Sequence, residues 1–116
     1  MKKTLALLIC TTIAHGAYAD EFLRPDEIKS LLVGKKALVR TMGSFMVDLE
    51  LRPDFTSSSS ALGGDSGKWR FSDDGYCIAW TKLREGVETC FKVAKKGMSH
   101  VIVAPNGSIA NISRID

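Results

Sequence analysis

The chain is poor in the residues that metal and thiol chemistry need. It has three cysteines, Cys10, Cys77 and Cys90, and two histidines, His15 and His100, with no C-x-x-C pair. A structural zinc site draws four such ligands at close spacing. A thiol redox site wants C-x-x-C or an exposed, activated cysteine. The G-x-S-x-G elbow of serine hydrolases is also missing. No run of Lys and Arg exceeds two residues, Lys35-Lys36 and Lys95-Lys96 being examples. A nucleic-acid surface is built on a basic stripe, so nucleic acid is not an expected partner. No apolar run approaches the roughly 20 residues that span a bilayer as a helix.

What is present begins with a leader. MKKTLALLICTTIAHGAYA opens on two lysines, continues through an apolar run from Leu5 to Ala14, and ends in Ala17-Tyr18-Ala19. This is the three-part pattern of a secretory signal peptide, predicted to be cleaved between Ala19 and Asp20. Leu-Leu-Ile-Cys10 resembles a lipoprotein box, but Ile9 stands where a small residue belongs and the apolar run continues beyond Cys10. The expected destination is the bacterial periplasm or the medium. Lys2 and Lys3 leave with the leader, which takes most of the excess of 16 basic over 13 acidic residues with them. Residues 20–116 are long enough for one domain with a modest core.

Along that domain the hydrophobic period changes once. Pro25 to Val33 reads as a helix, with Pro25 in its first turn, Asp26 and Glu27 at the positive end of its dipole, and Ile28, Leu31 and Leu32 on one stripe. Gly34 supplies the stop. From Lys36 the period is two. Lys36–Met42 is β-rich, Gly43-Ser44 is a turn, and Phe45, Val47, Leu49 and Leu51 alternate with Met46, Asp48 and Glu50. The serine-rich stretch Phe55–Leu62 is predicted as an edge strand and Gly63–Gly67 as a flexible connection. Further strands cover Lys68–Ser72, Tyr76–Thr81, Val87–Val93, His100–Ala104 and Ser108–Ile115, the last with a bulge. Asp73-Asp74-Gly75 and Pro105-Asn106-Gly107 mark tight turns. One helix and seven or eight short strands at this spacing predict a mainly all-β fold. The form that fits best is a small antiparallel up-and-down β-barrel, lipocalin-like, with the short N-terminal helix closing one end or edge.

Cys77 and Cys90 fit one hairpin register. Placing them opposite each other pairs Tyr76 with Phe91, Ile78 with Thr89 and Trp80 with Val87 around a four-residue loop, Lys82–Glu85. The cysteines then share one face and the aromatic residues the other. Opposed Cα atoms lie about 4.5–5.5 Å apart, within disulfide range, and an exported chain meets oxidising conditions. A disulfide is therefore expected, in place of a metal, nucleophilic or redox site, and no cofactor is expected.

Other chemistry is thinner. His100 reads as a strand histidine rather than a base. Asp48 and Glu50 have a spacing seen in some glycosidases, but alternating acids on a wet strand face are solubilising. Asp54 and Asp65 lack the dense oxygen spacing of calcium loops. Trp69, Phe71, Tyr76, Trp80 and Phe91 either fill the core or line a ligand cavity in the barrel mouth.

The motifs Ser66-Gly67-Lys68-Trp69, Cys77-Ile78-Ala79-Trp80 and Cys90-Phe91-Lys92-Val93 resemble a family of small exported proteobacterial proteins of unknown function, with a G-x-W…C-x-x-W…C-x-x-V signature. The resemblance covers most of residues 25–110. That family often carries Asp-Gly-Thr where this chain has Asp54-Phe55-Thr56. The resemblance implies a signal peptide and a short helix ending near Gly34, and no catalytic residue carries over from it. Ser66-Gly67 with Trp80-Thr81-Lys82 also resembles the membrane-bound inhibitors of C-type lysozyme, which are small exported disulfide-bearing barrels. The resulting expectation is a non-enzymatic exported binding module for a small apolar ligand or a protein partner. The alternative is an inhibitor of a cell-wall hydrolase.

Overall fold

A computed structural model describes residues 21–41 and 45–116. The leader and the Gly43-Ser44 turn lie outside the described residues. The elements in chain order are β1 (Glu21–Phe22), α1 (Pro25–Leu32), β2 (Lys36–Arg40), β3 (Met46–Leu51), β4 (Thr56–Ser59), β5 (Asp65–Ser72), β6 (Gly75–Trp80), β7 (Thr89–Lys96), β8 (Ser99–Val103) and β9 (Ile109–Ile115). Each strand from β2 to β9 pairs antiparallel with the next. β9 returns to pair with β2. The result is a closed eight-stranded up-and-down barrel, and closure removes the free edges of an open sheet. β1 is an extra strand on β7, opposite Ala94 and Lys95.

The helix forms where its local chemistry says it should. Pro25 begins it, and the Glu27 carboxylate accepts the Arg24 backbone N–H at 2.8 Å, satisfying a donor at its start. Its position follows from what it joins. Just before it, Leu23 N–H donates to the Val93 carbonyl on β7. Just after it, Val33 bridges to Leu51 on β3, and Gly34 N–H donates to the Leu51 carbonyl. β3 and β7 stand on opposite sides of the barrel, so α1 crosses one end. It pushes Ile28 and Leu32, 0% and 2% exposed, against a core that includes Leu51, Trp69, Tyr76 and Val93. Burying an aliphatic side chain this fully contributes about 1.5–3 kcal/mol.

Several boundaries differ from those the sequence predicts, each for a physical reason. The serine-rich segment is no edge: β4 pairs with β3 on one side and β5 on the other. Its serines carry little apolar signal, yet Ser57 is fully buried. The connection predicted for residues 63–67 is partly strand, because Asp65, Ser66 and Gly67 pair with Ser59, Ser58 and Ser57. Phe45 belongs to the apolar alternation of β3 but lies beyond its end, 71% exposed. Gly75 does not take a positive φ; a side chain there would run into the Phe91 carbonyl oxygen, so close approach of β7 is what demands glycine. The expected bulge is present in β9, where the register against β2 slips between Leu38 opposite Arg114 and Val39 opposite Ile112.

Candidate functional site

The barrel interior is divided in two. At the end crossed by α1, the space is filled by Ile28, Leu32, Leu51, Val93 and Trp69. Trp69 donates its indole N–H to the Arg52 carbonyl at 2.9 Å, so its polar atom is satisfied inside the core. Its ring packs against Phe55 at 5.0 Å and Phe71 at 4.8 Å between centroids. Toward the other end, which carries the β2–β3, β4–β5, β6–β7 and β8–β9 connections, the interior holds a cavity of about 710 Å³. Its barrel wall includes Val47, Leu49, Ile78 and Ile102; its rim includes Phe45 and Leu62.

The five aromatic residues singled out in the sequence therefore part company. Tyr76, Trp80 and Phe91 line the cavity. Trp69 and Phe71 do not; they belong to the packed aromatic group beside the β3–β4 turn. All five face inward, but Trp69 and Phe71 sit at the closed half. Tyr76 stacks on Phe91 at 5.5 Å and is 1% exposed. Burial pushes its phenol well above the ordinary value, so the group stays neutral.

The Cys77–Cys90 disulfide is present, in the register the hairpin pattern predicts, with Tyr76 opposite Phe91 and Ile78 opposite Thr89. It sits on the outer face, away from the cavity. There the ladder stops. Trp80 and Val87 do not pair, and residues 81–88 form a longer connection than the four-residue loop expected. The cause is Asp65. Its carboxylate accepts the backbone N–H groups of Lys82 and Leu83 at 2.9–3.1 Å and that of Ser66 at 2.9 Å. This capture draws the connection toward β5, packs Leu83 against the core, and leaves Arg84 and Glu85 both at a φ of 53°. Burial pushes the Asp65 carboxyl up, but the N–H groups of Leu83, Lys82 and Ser66 outweigh it and hold it below the usual carboxylate range.

Arg84 reaches the cavity from that connection. It lines the wall, with its guanidinium carbon 5.9 Å from the Phe91 ring centroid. Asp65, Leu83 and Arg84 were not legible in the sequence as site-forming residues. An Asp just before the G-x-W motif was the only available signal, and a carboxylate that captures distant backbone has no fixed spacing to find.

Other groups fall elsewhere. Cys77, Cys90 and Glu88 bring three ligand-type atoms within 4.8 Å. The disulfide consumes both thiols, and Glu88 holds Arg70 through bonds of 2.9 and 3.0 Å, so this trio is a staple beside an ion pair. His100 lies at the helix end, in a depression with Glu27 and Lys95. Glu50 accepts hydrogen bonds from Arg52, just past β3, and from Ser58 on β4, and the Asp54 carboxylate is held by Thr56 within its own turn. No helix among the described residues is long and apolar enough to cross a membrane. Comparison of the chain with family models, with curated proteins and with solved structures returns no match.

Proposed function

We propose that the protein is an exported, non-enzymatic binding module that takes one small, largely apolar ligand into the mouth half of its barrel. The observation that carries this reading is the cavity of about 710 Å³ with a predominantly apolar wall. Ligand pockets typically measure about 300–1,000 Å³, and an eight-stranded barrel is wide enough to hold one small ligand. The packed half supplies the rigidity: α1 and the Trp69 group fix one end, so the other half need not be filled for the fold to hold. Export is supported by the leader pattern and by the disulfide, since such bonds persist mainly in oxidising compartments. A non-enzymatic role is supported by the separation of His100, at the helix end, from the cavity.

The test is a titration of the folded protein, lacking residues 1–19, with the uncharged fluorescent probe N-phenyl-1-naphthylamine. The expected result is saturable enhancement at one site per chain, with a Kd on the order of 1 µM, equivalent to about −8 kcal/mol, and no enhancement after Ile78→Arg fills the cavity. Probe emission that never saturates, or that Ile78→Arg leaves intact while the protein remains folded, contradicts the reading.

A further inference from the structure

Resting on that cavity reading, we infer that the ligand is an anionic amphiphile, an acyl chain bearing a single oxyanion head group, and that Arg84 binds the head group at the mouth. Arg84 is the one charged side chain among the residues of the cavity wall; the others are apolar or carry hydroxyl groups. Among the described residues its guanidinium makes neither a hydrogen bond nor an ion pair, and it lies over the Phe91 ring. Of the neighbouring acids, Glu88 holds Arg70 and Asp65 holds backbone N–H groups, while Glu85, next in the chain, makes no ion pair among the described residues. Arg84 is therefore a cation at the mouth without an internal counterion.

The energetics select the ligand. Arg84 is exposed, so an uncharged guest at the mouth displaces part of the guanidinium's water and returns nothing, which is unfavourable for a charge. A carboxylate or phosphate restores the lost bonds through the planar fork of N–H donors. The backbone that carries Arg84 is also held in place. Asp65 fixes the backbone at Lys82 and Leu83, Leu83 is packed inward, and Arg84 keeps a left-handed φ that a free arginine rarely adopts. Less backbone freedom then remains to be lost on binding.

The test displaces N-phenyl-1-naphthylamine with three ligands of equal chain length: dodecanoate, dodecyl phosphate and 1-dodecanol. The wild-type protein should bind at least one of the two anions about tenfold or more tighter than the alcohol, the gain expected of a charge-assisted hydrogen bond. Arg84→Gln should abolish that preference while leaving 1-dodecanol affinity unchanged. Arg84→Lys should restore part of it. Lys82→Gln should leave it intact, because Lys82 already donates to the Gly64 carbonyl at 2.8 Å. The anion that loses more in Arg84→Gln identifies the head group. Equal binding of all three ligands, or a preference that survives Arg84→Gln, overturns the head-group inference alone. Failure of all three to displace the probe overturns the cavity reading, and this inference with it.

Discussion

The two ends of this barrel are built by opposite rules. The helix end is a core: Ile28, Leu32, Leu51 and Trp69 are 0–4% exposed, and the one polar atom they bring in, the Trp69 indole nitrogen, donates to the Arg52 carbonyl. The mouth end leaves several large apolar residues unburied. Phe45, Leu62 and Val87 are 63–71% exposed there, and the space between the walls is a cavity. A chain that only had to fold would bring these groups together. Leaving them apart forgoes burial free energy, and the packed end is what makes that tolerable in a domain of this size. Packed core and open cavity thus occupy separate halves of one closed sheet.

The sharpest way to break this comparison is to truncate one large side chain in each half. Trp69→Ala should lower the unfolding free energy by about 3–5 kcal/mol, the range for buried aromatic deletions. Leu62→Ala should change it by about 0.5 kcal/mol or less, as exposed substitutions do. Urea denaturation of both variants checks this; equal losses would mean that the mouth is part of the core. The disulfide gives the next largest effect. It closes a loop of sequence separation 13 on the outer face, so Cys77→Ala with Cys90→Ala should cost about 3 kcal/mol and leave N-phenyl-1-naphthylamine affinity nearly unchanged in the folded fraction. Loss of binding in that fraction would place the hairpin staple within the site.

Acid should act on the mouth before the helix end. The Asp65 carboxyl is held below its unfolded value, so its contribution is fully present above about pH 3.9 and is lost as pH falls through the lower folded-state value. Amide exchange at Lys82 and Leu83 should accelerate in that window, ahead of exchange at Ile28 and Leu32. In Asp65→Asn it should already be fast at neutral pH. Uniform acceleration along the chain would show that Asp65 does not act locally. A small net effect is expected at Phe55, which holds a φ of 68° in the β3–β4 turn. Phe55→Gly relieves a left-handed conformation costing about 1–2 kcal/mol and removes ring contacts with Trp69 and Phe71 worth about 0.5–1.5 kcal/mol each. Net stability should shift by about 1 kcal/mol at most, as thermal denaturation would report.

The elements that follow strict periods were legible in the sequence. The stripe Ile28, Leu31, Leu32 marks α1, and the alternation Val47, Leu49, Leu51 marks β3. The hairpin register came from two patterns agreeing, sulfur against sulfur and Tyr76 against Phe91. β4 was misplaced as an edge because serine carries no burial signal, although Ser57 points into the sheet's packed side. The division of the interior was not legible at all. Inward-facing residues alternate identically along a strand whether the space they enclose is filled or hollow, so Trp69 and Trp80 look alike in sequence. The role of Asp65 was hidden for a different reason: its backbone partners lie 17 and 18 residues away.

Those two tryptophans offer the most direct test. They are the only ones in the chain, so Trp69→Phe leaves Trp80 as the sole indole, and Trp80→Phe leaves Trp69. Titration of each variant with 12-bromododecan-1-ol, whose bromine quenches indole emission on contact, reads out where the chain enters. A cavity confined to the mouth half should give saturable quenching of Trp80 and little change at Trp69. Equal quenching of both, or none at Trp80, would contradict a barrel that is packed at one end and receptive at the other.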